Sequence, residues 1–261
     1  AIYHDGWVAT SFHGVPWELT GSVGFKNNEW QLYNIDKDFS QAHDISAKEP
    51  QKLAEMQKLF DQEARGHDVY PLDDRFAERV TNPERPSFIK GRTNFSYAAG
   101  TTRIPEGSAP PMYQRSHSIT ATVDIPKEGA NGVIVAEGGS SGGFSLYLEN
   151  GIPVYEYNFF TQNYYRIPGT KALAPGKHTI VMDYQQAKHE ANSPTGGAVK
   201  LSVDGQVIAT GNVDKVVGKR YSATETFDIG MDLGSTVSPR YNEKAPFAFT
   251  GTIDKVTVDL K

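Results

Sequence analysis

Gly138-Gly139-Ser140-Ser141-Gly142-Gly143 satisfies G-x-S-x-G in two registers. In hydrolases that pattern presents a nucleophilic serine on a strained strand-to-helix turn, beside a histidine and oxyanion donors. The segment that follows here, Phe144-Ser145-Leu146-Tyr147-Leu148, has strand character, so a glycine-rich hairpin is expected instead. Gly176-Lys177-His178 has the ending of a phosphate-binding loop, but Lys171 stands where its first glycine belongs and His178 replaces the magnesium-holding Ser or Thr. Asp36-Lys37-Asp38 offers alternating carboxylates for calcium, yet Phe39 and Ser40 follow where a third ligand and a glycine are needed. It reads, like Asp73-Asp74, as a solvated acidic turn. The seven histidines show no H-x-x-x-H or other ligand spacing. The sequence therefore offers no catalytic and no metal-binding residue.

Tyr155, Tyr157, Phe159, Phe160, Tyr164 and Tyr165 form an aromatic cluster. Such rings can stack on sugars, which makes Tyr155, Tyr157, Tyr164 and Tyr165 candidate substrate-binding residues. The same residue types also pack the core and edges of a β-sandwich. No carboxylate pair stands in a glycosidase-like context, and the separation of two carboxylates is not legible in sequence.

The elements that must position these residues differ along the chain. Residues 1–85 hold 9 Lys and Arg against 15 Asp and Glu, whereas the remainder is nearly balanced. All three tryptophans, Trp7, Trp17 and Trp30, lie near the start, and 20 of the 25 glycines follow residue 85. The change falls at Asn82-Pro83-Glu84-Arg85-Pro86, whose prolines disfavour helix and lack ladder donors. The expected organisation is a domain piece at 1–81, a linker at 82–86 and a second domain at 87–261. The first piece reads as mixed α and β. Strands are expected at 7–13 and 30–35. A helix is expected from Pro50, with Leu53, Met56, Leu59, Phe60 and Ala64 as its apolar stripe and Gly66 as its left-handed stop. One helix and a few strands bury little surface, so this piece reads as the end of a domain that begins elsewhere. The second part reads as all β. Residues 117–125 alternate apolar and polar, and strands are expected at 132–136, 144–149, 153–158, 178–184, 199–203, 206–209, 226–231 and 249–260. Asp204-Gly205 between two β-rich runs predicts a two-residue hairpin. Many strands and no helix argue for a jelly-roll sandwich.

Composition narrows the function. The 261 residues contain no cysteine, which excludes disulfides, thiolate metal sites and a cysteine nucleophile. With a net charge of −5, nothing suggests the basic surface a nucleic-acid partner requires. Mean hydropathy is −0.49 and the apolar runs are short, so no membrane partner is expected.

Trp30-Gln31-Leu32-Tyr33-Asn34-Ile35-Asp36-Lys37-Asp38, followed by Phe39-Ser40-Gln41-Ala42-His43-Asp44-Ile45-Ser46, resembles the C-terminal signature of type I sulfatases. There a strand runs into an acidic turn and a final amphipathic helix. Ala1-Ile2-Tyr3-His4-Asp5-Gly6-Trp7 resembles the preceding hairpin. Pro71-Leu72-Asp73-Asp74-Arg75, Arg103-Ile104-Pro105-Glu106-Gly107-Ser108-Ala109-Pro110 and Phe249-Thr250-Gly251-Thr252-Ile253 are similar to pieces of longer bacterial arylsulfatases. The resemblance implies an α+β, mostly β chain: a closing sulfatase subdomain followed by a concanavalin-like jelly-roll sandwich. It implies a parent that hydrolyses sulfate esters with calcium and formylglycine, both held in an N-terminal sulfatase domain outside this sequence. That domain is the implied partner, and sulfated aryl or glycan compounds are the implied substrates. The compartment stays open between bacterial cytoplasm and periplasm. No serine stands in the S-x-P-x-R precursor motif, since Val237-Ser238-Pro239-Arg240 is one residue too tight. This chain alone is expected to be inactive, completing the fold and shaping the substrate cleft. A lectin-like carbohydrate-binding module and a structural or oligomerisation domain are the alternatives.

Overall fold

The computed structural model describes residues 1–13, 24–25, 28–73, 84, 86–188 and 194–261. Trp17, Asp74, Arg75, His189 and most of the expected 82–86 linker lie outside them. The chain divides into two compact units, Ala1–Pro86 and Ser87–Lys261.

In the first unit, β1 (Ile2–His4), β2 (Trp7–Ser11) and β3 (Trp30–Asn34) form an antiparallel sheet in that order. Asp5 and Gly6 both have positive φ, which matches the right-handed twist of the β1–β2 hairpin. Helix α1 (Pro50–Gly66) starts with Pro50 in its first turn and lays Met56 on Ala9 and Leu32, all three fully buried. Its end differs from expectation. Gly66 remains helical, and Asp68 takes the left-handed position at φ 54°. The Val69 N–H then bonds the Ala64 carbonyl at 2.9 Å, closing a Schellman motif. The acidic turn is self-capped. Asp38 accepts the His43 N–H at 2.8 Å and the Ser40 hydroxyl at 2.9 Å, and these bonds hold its carboxyl below the usual range.

The second unit is a mostly β sandwich of two six-stranded antiparallel sheets. The new strands are β4 (Asn94–Tyr97), β5 (Ile104–Pro105), β6 (His117–Ile125), β7 (Gly132–Gly139), β8 (Gly142–Glu149), β9 (Ile152–Phe159), β10 (Asn163–Pro168), β11 (Gly176–Gln186), β12 (Thr195–Val203), β13 (Gln206–Lys215), β14 (Thr226–Ile229) and β15 (Thr252–Leu260). One sheet runs β10-β9-β8-β7-β14-β5 and the other β13-β12-β11-β6-β15-β4. Residues Ile119, Ala121, Val123 and Ile125 of β6 point into the core and alternate with half-buried neighbours, the pattern of a sheet wet on one side. Asp204 and Gly205 have φ of 51° and 78° and make the β12–β13 hairpin. The glycine-rich serines lie on the β7–β8 hairpin, whose strands pair down to Gly139 opposite Gly142. No helix follows them. Strand β14 stops at Ile229 because Gly230 turns at φ 88°.

Residues 231–250, which connect β14 to β15, cross the outer face of the first sheet as a strap. Val237, Tyr241 and Phe247 of the strap pack on Val133, Ala136, Tyr147 and Val154 of the strands. Backbone bonds pin it, among them Val133 N–H to the Phe247 carbonyl at 2.8 Å. The sheet thus has core on one face and its own strap on the other, which is why β7 is buried along its whole length.

Candidate functional site

The pleat sends alternate residues of β7–β10 outward, toward the strap. Cross-strand register aligns Ala136, Ser145, Glu156 and Arg166 in one row, with Asp228 of β14 at its end. A parallel row holds Gly143, Asn158 and Tyr164. Ser145, Glu156, Asn158 and Asp228 are buried. The Tyr147 hydroxyl donates to Glu156 Oε2 at 2.7 Å. Arg166 pairs with Glu149 Oε2, and the Nε of Arg240, from the strap, donates to Glu149 Oε1 at 3.2 Å. Asp232, also on the strap, accepts the Tyr241 hydroxyl at 2.7 Å and the Val237 N–H at 2.8 Å. Burial, with Asp228 and Glu225 adding negative charge, pushes the Asp232 carboxyl up to about 7. Burial likewise raises the hydroxyls of Tyr147 and Tyr241, keeping both as neutral donors.

This layer is incompletely satisfied. Ser145 Oγ, Arg166 Nε and Asp232 Oδ1 are buried without a hydrogen-bond partner, three of the six such side-chain atoms among the described residues. Leaving such a group unpaired costs about 1–3 kcal/mol. The layer opens to solvent at one edge. Arg166 and Glu149 are about a quarter exposed, Arg240 is half exposed and Tyr164 is 38% exposed. This edge offers guanidinium donors, a carboxylate acceptor and a ring face.

Only Tyr164 of the four tyrosines chosen from sequence stands on this outer face. Tyr155 and Tyr157 are on the opposite parity of β9, inside the core at 2% and 4% exposure, and offer no ring face for stacking. Their sugar-binding reading is corrected on that ground. Tyr157 Oη instead accepts the Val217 N–H at 2.8 Å. Tyr165 lies opposite Tyr157 on β10, half-buried against the core. Glu156 and Arg166 were missed because the aromatic run hid them. Their signal is opposite charge directly across an antiparallel pair.

Tyr155, Tyr157, Tyr184 and Tyr221 also line a cavity of about 10 Å³ with His117, room for a single water. His117 Nδ1 contacts the Arg115 carbonyl at 2.8 Å, and Nε2 has no partner. Burial drives His117 down to about 4. Its ring is therefore neutral at neutral pH.

Among the described residues no three His, Asp or Glu side chains gather as a metal site. The chain has no cysteine to become formylglycine. No helix among the described residues is long and apolar enough to cross a membrane.

No protein-family model matches the chain, and no curated protein matches it. Solved structures do resemble it. The sialidase CBM40 of Ruminococcus gnavus bound to α2,3-sialyllactose is 17% identical, with 64% of this chain and 89% of that one covered, at a TM-score of 0.40. A pentraxin from Limulus polyphemus is 14% identical over 65% and 75%, at 0.34. A Caenorhabditis elegans galectin is 8% identical over 66% and 99%, at 0.36.

Proposed function

We propose that the sandwich unit is a carbohydrate-binding module that holds a sulfated or carboxylated sugar at the Tyr164–Arg166–Arg240 edge. One observation carries this reading: an exposed tyrosine ring on the same sheet face as a guanidinium, with a second guanidinium joined through Glu149. Arginine suits planar anionic groups because its fork matches their oxygens, and a tyrosine ring adds apolar contact with a sugar face. Arg240 spends only Nε on a hydrogen bond among the described residues, which leaves its terminal nitrogens to a ligand. Binding of chondroitin sulfate and of its desulfated form by the whole chain tests this. Arg166→Gln and Tyr164→Ala should each weaken the sulfated form at least about tenfold, about 1.4 kcal/mol. Absence of binding to either form would remove the reading and leave the unit a structural or oligomerisation element.

A second reading concerns parentage: the chain is the C-terminal part of an arylsulfatase, and the first unit completes a catalytic domain carried on other residues. The ordered sequence resemblance supports it. So does the open surface of the first unit, where Tyr3, Phe12, Tyr70 and Leu72 are exposed. Hollows of about 520 and 510 Å³ there are lined by Ile2, Leu59, Phe60 and Trp30 among others. Reconstitution with a sulfatase N-terminal domain should give aryl sulfate hydrolysis that neither part gives alone. Hydrolysis by this chain alone would sink the assignment.

A further inference from the structure

Among the described residues of the second unit, no element crosses the outer face of the other sheet over β11, β12 and β13. Register places Asp183, Lys200 and Thr210 in one row and Gln185, Ala198 and Asn212 in the next. These rows line a hollow of about 360 Å³, and a second of about 480 Å³ shares Gln185, Ala198 and Asn212 with it. Together they form a groove whose floor is kept low by Ala198, and Gly196 and Gly197 add no side chain at its far end. Both are shallow and open to solvent, a shape that suits an extended chain lying along the strands.

Two cations meet two carboxylates in and beside the groove, Lys200 and Lys261 at Asp183 and Asp214 at the far end. Asp183 pairs with Lys200 at 3.9 Å and with Lys261. What is left to face a ligand is neutral hydrogen-bonding capacity. Gln185 uses Nε2 on Ser116 and keeps Oε1, while the Asn212 amide and Thr210 hydroxyl are exposed. Amides and hydroxyls both donate and accept, which matches vicinal sugar hydroxyls, whereas an anionic chain would meet no net positive charge here.

We infer that this groove is a second glycan site, for an uncharged oligosaccharide, on the sheet opposite the Arg166 edge. It rests on the carbohydrate-binding reading and adds a ligand class to it. The whole chain is titrated calorimetrically with cellohexaose, xylohexaose and maltohexaose. At least one should bind. Ala198→Trp, which fills the floor, and the double variant Gln185→Ala with Asn212→Ala should each weaken that binding at least tenfold. Phe88→Ala, at an exposed ring that belongs to neither site, should leave it unchanged. The inference is overturned if no hexasaccharide binds, or if both groove variants bind like the parent while holding its melting temperature. Loss of neutral binding in Arg166→Gln alone would overturn the groove and leave the Arg166 edge standing. Neutral binding without sulfated binding would do the reverse.

Discussion

Asp232→Asn should change how stability depends on pH. The buried carboxyl moves from an ordinary 3.8 to about 7 on folding. The folded state therefore keeps a proton that the unfolded chain releases, so stability falls as pH rises through that interval. About three units correspond to about 4 kcal/mol, spread at about 1.4 kcal/mol per pH unit. Asparagine cannot ionise. Its Oδ1 can still accept from Val237 and Tyr241, while its Nδ2 replaces the unpartnered oxygen at a cost of about 1–3 kcal/mol that does not vary with pH. The variant should thus be no more stable than the parent at pH 4 and gain steadily on it to pH 7.5. His117 masks this in the parent. Its fall from 6.5 to about 4 means that the unfolded chain binds a proton the fold refuses, so stability rises with pH in that lower window. The two slopes oppose each other between about pH 4 and 6.5, and only the difference between variant and parent separates them. The assay is calorimetric unfolding of both proteins at half-unit steps. A stability difference that stays constant from pH 4 to 7.5 would refute the burial argument for Asp232.

Phe247→Ala should cost about 3–5 kcal/mol, because the ring is nearly buried against Tyr147 and Tyr241 and clamps the strap. Amide hydrogen exchange should locate the loss in residues 231–250 and the outer face of β7–β9. Tyr157→Phe should destabilise by about 1–3 kcal/mol through the orphaned Val217 N–H, with glycan binding unchanged. Loss of binding with a retained melting temperature would return Tyr157 to the binding surface.

Local rules made part of the fold legible. The β6 alternation, the Asp204-Gly205 turn and the α1 stripe each depend on a few neighbouring residues, and each stands where its pattern put it. The helix stop did not, because Asp68 reached the left-handed position that glycine usually fills. Strands β4, β5 and β10 were not anticipated: they are short and lie at or near sheet edges, so tertiary pairing defines them. The strap has no period at all. Val237, Tyr241 and Phe247 are unevenly spaced, and only the shape of the sheet beneath makes them one surface. The candidate site depends on that strap and on the register of β8, β9 and β10, so a reading of aromatic residues alone found Tyr164 and missed Glu156 and Arg166.

The position of β15 bears on how the sandwich is assembled. It is the last strand in chain order, yet it lies between β6 and β4 rather than at a sheet edge. Its partners are remote: Val258 pairs with Ile119 on one side and Phe95 on the other. Until β15 inserts, β6 presents an unpaired edge and β4 has no ladder to join. Pairings of such long sequence separation place this sheet among slow-folding topologies. An open edge of β6 in the meantime is a template for pairing with another chain. Refolding should accordingly lose yield as protein concentration rises, and a peptide of the β15 sequence supplied in trans should recover it.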